Sequence, residues 1–230
     1  MIISKRLKLI SSLVTGVRTI VDVGTDHGYV PLDLLKSNEI DYAIASDINK
    51  GPVEKARKNL SDNNLSHKVD CRLGGGLKTV RPGEVEAAVI AGMGGNLIRD
   101  ILEESQDVFK KLEYVIVQPV QNPEVLRAYL YKSGCEILDE WIIYDEEKYY
   151  EILKIKWGNN VKQVEPIYYE VSKILLDKKD EVYKEYLNFK KDKYDTIYEG
   201  LKGDTENSKS RKKELGLKID EINLVLDSKV

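Results

Sequence analysis

The residues best suited to do chemistry are Asp22, Asp26 and His27, set in Ile20-Val-Asp-Val-Gly-Thr-Asp-His-Gly-Tyr29, and Asp47 at the end of Ile44-Ala-Ser-Asp47. Glycines at 24 and 28 let the chain turn tightly and let a ligand lie against the backbone. A lone carboxylate roughly 20 residues beyond such a turn is placed to hold a ribose diol. The layout is that of a Rossmann-type nucleotide site. Asp26 stands where a dinucleotide fingerprint has its middle glycine, and a carboxylate there repels a pyrophosphate. S-Adenosylmethionine carries no phosphate; it carries a sulfonium and an ammonium, which an acidic turn can hold. The turn therefore favours S-adenosylmethionine over NAD. Asp26 is also a residue type that caps helices, and His27 can bond the backbone at a helix start, so both keep a structural alternative.

Two glycine-rich blocks extend the candidate site. Gly74-Gly75-Gly76 follows a strand and either lies flat against an adenine or forms a flexible turn. Ala91-Gly92-Met93-Gly94-Gly95 follows another strand and leaves room for a planar acceptor beside a methyl donor. Ligands of open α/β sheets bind at the carboxyl ends of the strands, at the switch point. Asp22, Gly24, Asp26, Asp47, Ile48, Gly75, Gly76, Ala91, Gly92 and Met93 are accordingly read as cofactor residues. Tyr29, Gly94 and Gln118 are placed on the acceptor side, where Gln118 either reads a base edge or satisfies a loop.

These residues need a sheet to position them. Apolar runs at 19–23, 42–46, 69–73, 87–91 and 114–118 alternate with amphipathic stretches, which predicts parallel strands with crossover helices. Runs at 137–144 and 150–157 lie close enough to pair as a hairpin across Asp145-Glu-Glu-Lys148. The expected fold is α/β: a Rossmann-like methyltransferase domain with a seven-stranded, mostly parallel sheet ending in an antiparallel hairpin. Its expected span is residues 1–158, beginning in a helix.

Residues 159–230 change character. Val164, Tyr168, Val171, Leu175, Val182, Tyr186, Tyr194, Ile197 and Leu201 recur at mostly three- and four-residue steps, which predicts a coiled-coil helix. Gly203 is expected to end it, with Asp204 or Thr205 capping a second helix that carries Leu215, Ile219, Ile222 and Leu226. The segment from residue 158 on holds 15 basic and 15 acidic residues. Its charge is uneven: Lys209-Ser-Arg-Lys-Lys213 is a basic cluster, either a solvated face or an RNA contact.

Together, Val21-Asp-Val-Gly-Thr-Asp-His-Gly-Tyr29, Ile90-Ala-Gly-Met-Gly-Gly95, Val117-Gln-Pro119 and Glu147-Lys-Tyr-Tyr-Glu-Ile152 resemble the bacterial tRNA (adenine-22-N1)-methyltransferases. The resemblance runs from the Ser4-Lys-Arg-Leu7 helix to about Trp157, and that family also carries a helical C-terminal arm. It implies S-adenosylmethionine as cofactor, tRNA as substrate and N1 of adenine 22 as acceptor. Asp26 and His27 are then the candidate catalytic residues, and Lys209, Arg211, Lys212 and Lys213 the candidate phosphate grip. Two positions depart from the family pattern. Gly75 replaces an Asn or Asp, and Val120 replaces the Asn that usually follows Gln-Pro. A small-molecule or protein acceptor, an NAD-linked oxidoreductase and a non-enzymatic adaptor are the alternatives.

Composition excludes several classes. No apolar run is long enough for a membrane span. The N-terminus lacks a signal-peptide core. Two isolated cysteines and two histidines argue against a His/Cys metal site and predict reduced, buried thiols. The net charge is −3, against indiscriminate polyanion binding. A cytoplasmic protein, monomeric or weakly dimeric, without metal or membrane partner, is expected.

Overall fold

The structure is a computed structural model describing residues 3–203 and 205–229. The chain divides into two compact units, the first ending at Gln163 and the second starting at Val164.

The first unit is a seven-stranded sheet of order β3-β2-β1-β4-β5-β7-β6. The strands are β1 (Thr19–Val23), β2 (Tyr42–Asp47), β3 (Val69–Leu73), β4 (Ala87–Gly94), β5 (Tyr114–Gln121), β6 (Glu136–Asp145) and β7 (Lys148–Lys156). β1 to β5 run parallel; β7 runs antiparallel to both β5 and β6. The order reverses between β1 and β4, which puts the switch point beside Gly24. The expected architecture is present, and the hairpin turns over Glu146 and Glu147, both at positive φ. A two-residue turn with that twist matches the twist of the strands it joins.

Strands buried on both faces read as near-continuous apolar runs, and β1, β2, β4 and β5 do, with polar residues such as Asp22, Asp47 and Gln118 toward their carboxyl ends. One face packs Val21, Ile44, Ile90, Val117 and Ile155 against α4 (Gly95–Glu104), α5 (Gln106–Phe109) and α6 (Pro123–Ser133). The other packs Ile20, Ala45, Val89, Ile116 and Ile152 against α1 (Lys5–Ser12), α2 (Tyr29–Lys36) and α3 (Lys50–Asp62). α1 starts at the Ser4 cap, whose hydroxyl accepts from the Leu7 amide at 3.3 Å. Met1 and Ile2 lie outside the described residues. On the α6 side, Arg127 is fully buried and bound to Glu140 of β6 at 2.6 Å and to Glu151 of β7, tying the helix to the hairpin.

The strand ends differ from the expected ones. β4 runs on through Gly94, so Ala91–Gly94 is not a loop after the strand but its bulged end, with register shifts on both sides of Met93. Bulges of this kind re-aim side chains beside binding sites. β5 likewise continues to Gln121.

The second unit corrects the two-helix expectation. Its first stretch breaks into α7 (Ile167–Glu170), α8 (Lys173–Lys178) and α9 (Glu181–Gly200) before α10 (Glu206–Lys229). The breaks fall where two capping residues stand: Ser172 accepts from the Leu175 amide, and Asp180 from the Tyr183 amide after Lys179 turns left-handed. The buried row on α9 is Tyr183, Leu187 and Lys190, one residue out of step with the expected Val182 and Tyr186. On α10, Leu215, Ile222 and Val225 are buried. Thr205 caps α10 by accepting from the Ser208 amide at 3.2 Å; Asp204 lies outside the described residues. At the centre, Glu170 takes Lys190 at 2.9 Å, Lys218 at 2.5 Å and the Tyr194 hydroxyl at 2.9 Å. These two lysines hold the Glu170 carboxyl down at about 2 despite its burial, which works the other way.

Candidate cofactor and acceptor site

The turn after β1 is built from backbone. The amides of Gly24 and Thr25 both donate to the Ser46 carbonyl of β2, at 2.8 and 2.9 Å. Gly24, His27 and Gly28 are all left-handed, with φ of 76°, 62° and 64°. Gly28, not Asp26, occupies the cap position of α2, and no side chain caps that helix. Asp26 is thus spared a capping duty. It stands 70% exposed with its carboxylate 3.5 Å from His27 Nε2. His27 is fixed from behind by Asn59 of α3, which donates to its carbonyl at 2.8 Å. Its ring stacks on Tyr29, centroids 5.2 Å apart and planes within 6°.

A cavity of about 420 Å³ opens at the carboxyl ends of β1, β2 and β4. Of the expected cofactor residues, Gly24, Asp47, Ile48, Gly75, Gly76 and Met93 line it. Asp22, Asp26, Ala91 and Gly92 do not. Asp22 lies buried two residues behind Gly24; Ala91 and Gly92 lead into Met93. Asp47 is oriented by the Asn49 amide, which donates to Oδ1 at 2.7 Å. Gly74 and Gly76 are glycine by necessity: a Cβ at Gly74 would stand 2.6 Å from the Thr79 methyl, and one at Gly76, at φ 59°, 3.0 Å from Ile101. A Cβ at Gly75 would touch Ile48 at 3.7 Å, an ordinary contact.

The walls that sequence reading missed come from α4 and its neighbours: Leu97, Ile101 and Glu104, with Lys78 opposite. Lys78 and Glu104 pair at 2.5 Å. Leu97 and Ile101 read as the apolar row of a packing helix, and half-exposure of Leu97, at 51%, is the mark that separates it from core.

The electrostatics are acidic. Burial pushes the Asp22 carboxyl up to about 6; Thr25 beside it pulls down and the charge of Asp47 pushes further up. No lysine or arginine lies along residues 20–29, and the cavity's lysine is held by Glu104. A glycine floor, apolar walls and a carboxylate at the rim suit an adenosine, and the acidic turn beside it suits a cation rather than a diphosphate.

Gln118 is corrected. It is fully buried, not on the acceptor rim. Its Oε1 accepts from Arg6 at 2.6 Å and from the Gly92 amide at 3.2 Å, and its Nε2 donates to the Pro119 carbonyl at 2.9 Å. Both acceptor sites of Oε1 and one of the two Nε2 N–H groups are taken, so this buried amide has no acceptor left to read a base. Gly94 caps α4, and Val120 beyond Pro119 is exposed. In the second unit Lys209, Arg211 and Lys213 are exposed on α10; Arg211 pairs with Glu214 at 2.7 Å and Lys212 lies over the Tyr198 ring at 5.7 Å.

Sheet order, switch-point cavity and closing hairpin define a Rossmann-like methyltransferase. The chain belongs to the tRNA (adenine(22)-N(1))-methyltransferase family, whose profile matches residues 20–224. It is 30% identical to the tRNA (adenine(22)-N(1))-methyltransferase of Bacillus subtilis over 231 residues, 98% of this chain and 97% of the relative. Among solved structures, the B. subtilis M1A22 tRNA methyltransferase TrmK superposes with a TM-score of 0.88 at 29% identity, covering 98% of this chain and 99% of that one. Streptococcus pneumoniae Sp1610 in complex with S-adenosyl-L-methionine matches at 0.86 and 31% identity, covering 98% and 100%. Mycoplasma capricolum TrmK in complex with S-adenosyl-homocysteine matches at 0.86 and 26% identity over the whole of both chains.

Proposed function

We propose that this chain transfers the methyl group of S-adenosylmethionine to N1 of adenine 22 in bacterial tRNA. The observation that carries the reading is the switch-point cavity, acidic and without a phosphate site, in a chain of this family. When bound, S-adenosylmethionine supplies a methyl group on a positively charged sulfur.

The protein's own residues position and desolvate. Asp47, held by the Asn49 amide, accepts from the ribose hydroxyls. Ile48, Leu97 and Ile101 give the adenine an apolar slot, and Gly75 and Gly76 leave its face open to backbone. Asp22, Gly24 and Asp26 place negative charge and bare backbone toward the amino-acid end. Ala91, Gly92 and Met93 form the wall between cofactor and acceptor.

Adenine N1 has a free lone pair at neutral pH, so no base need remove a proton before attack. Catalysis is alignment of acceptor and methyl in a site that excludes water. The methylated base is a cation. Asp26, exposed and uncommitted to a helix cap, stabilises that developing charge, with His27 orienting the carboxylate or taking a proton from N6. Tyr29, Met93 and Gly94 border the base, which must leave its stack to be reached. Lys209, Arg211, Lys212 and Lys213 of the helical unit bind tRNA phosphates without reading sequence.

The reading involves tRNA as the partner, needs no metal ion, and places a monomer or weak homodimer in the cytoplasm. Among the described residues no helix is long and apolar enough to cross a membrane. The test is transfer of labelled methyl from S-adenosylmethionine to unmodified bacterial tRNA. Label in tRNA is expected; cofactor binding with no transfer to any tRNA overturns the acceptor assignment.

A further inference from the structure

The cofactor cavity and the turn leave one polar cluster unused: Arg6 of α1, Gln118 of β5 and the Gly92 amide of β4. Arg6 lies 112 residues from Gln118 in sequence, yet its Nη1 donates to Gln118 Oε1 at 2.6 Å. The same oxygen takes the Gly92 amide at 3.2 Å. The amide can face only one way. Reversed, its NH2 would meet two donors, the guanidinium and the Gly92 N–H, and its oxygen would meet the Pro119 carbonyl. Arg6 is itself anchored twice more: its backbone amide donates to Asp145 Oδ2 at 2.9 Å, and its guanidinium lies over the Tyr150 ring at 5.0 Å. A helix start, the hairpin and the carboxyl ends of β4 and β5 are therefore joined through Arg6 and Gln118.

The strand that receives this restraint is the one that needs it. β4 is bulged at Met93, and Gly92 is exposed at φ 78°, a conformation with little intrinsic hold. Met93 follows directly, and its Cε fills the space over Gly24. A linear chain of contacts thus runs from Arg6 through Gln118 and Gly92 to Met93 and the floor of the cavity.

We propose that Arg6 is a positioning residue for methyl transfer: through Gln118 it fixes the Gly92–Met93 bulge, the wall at which methyl donor and acceptor must be aligned. Arg6 itself does not line the cofactor cavity. The inference rests on the functional reading above for its kinetic arm only.

The test uses the full-length chain with R6A, Q118A and the double variant. The first readout needs no substrate. The sequence has two methionines, so a spectrum of [13C-methyl]methionine protein holds two methyl signals, that of Met93 assigned by its loss in M93L. A displaced or broadened Met93 signal is expected in R6A and Q118A. The second readout is kinetic. R6A and Q118A should each lower kcat roughly tenfold to a hundredfold, the range for a displaced reacting group, with smaller changes in KM. The double variant should be no worse than the weaker single one, because the two act as a unit. An unmoved Met93 signal in R6A overturns the proposal, as do additive kcat losses. If the wild-type chain methylates no tRNA, the functional reading fails while the spectra still decide the positioning claim.

Discussion

A Cβ on Gly24 would stand 2.1 Å from Cε of Met93. The turn after β1 and the bulge ending β4 meet at van der Waals distance only because residue 24 has no side chain. Its φ of 76° adds a second requirement for glycine. Gly24→Ala must strain the turn and drive Met93 toward the ligand. Calorimetry should show S-adenosylhomocysteine affinity reduced about tenfold or more, with the strain alone worth about 1–2 kcal/mol. Native affinity would show that the turn does not shape the cofactor site.

Asp47 is the carboxylate that the cavity presents at the end of β2. A hydrogen bond from a neutral donor to a charged acceptor contributes about 1.5–3 kcal/mol. Asp47→Ala should therefore weaken S-adenosylhomocysteine about tenfold to a hundredfold and leave tRNA affinity unchanged. Equal loss for both ligands would indicate local misfolding instead.

Asp26 separates two roles. If its carboxylate stabilises the methylated cation, Asp26→Ala at saturating S-adenosylmethionine lowers kcat by roughly tenfold to a hundredfold. Full turnover with a raised KM for cofactor would assign Asp26 to cofactor binding alone.

Asp22 and Glu170 give opposite pH signatures in the two units. Burial raises Asp22 to about 6, above its unfolded value of 3.8, so the folded state holds the extra proton between those values. Stability then falls as pH rises from about 4 to about 6, by about 3 kcal/mol in total. Asp22→Asn should abolish that loss in denaturant titrations across this range. Lysine neighbours lower Glu170 to about 2, so its contribution is present above about 4.5 and lost as pH falls toward 2. Glu170→Gln should destabilise the helical unit at neutral pH and flatten its acid limb. A Glu170→Gln protein with unchanged acid unfolding would contradict the buried network's role.

The basic cluster of α10 is testable through salt. Charge-neutral replacement of Lys209, Arg211, Lys212 and Lys213 should weaken tRNA binding and reduce the slope of log affinity against log salt by roughly two to three. Arg211 and Lys212 already engage Glu214 and Tyr198, so the full four is not expected. Cofactor affinity should not move; an unchanged salt slope would remove this helix from the tRNA interface.

Much of the first unit is legible in sequence because its determinants are local. Buried strands are apolar runs, Gly24 and Asp47 sit at fixed offsets from strand ends, and the hairpin spacing fixes its turn. Gln118 was not legible, because Arg6 that consumes its oxygen lies on another helix far off in the chain. Nor was the placement of β7 between β5 and β6, since either hairpin strand can pair with β5 by pattern. Leu97 and Ile101 share the period of a packing helix, and only the fold opens a cavity beside them. On α9 the rows 182/186 and 183/187 are both apolar at helical spacing. Tyr183 is buried there, its hydroxyl reaching the Ser172 amide at 2.5 Å. That contact exists only because the chain breaks at Ser172 and Asp180.

The most direct test of the central claim is to incubate unmodified tRNA with the protein and S-adenosylmethionine and map the product by reverse transcription. Methylation of N1 blocks the Watson–Crick edge. A stop at adenine 22 that needs both protein and cofactor, and disappears when that base is guanine, is the predicted result. A stop at another adenine, or transfer of label with no stop at all, would contradict the assignment of N1 of adenine 22.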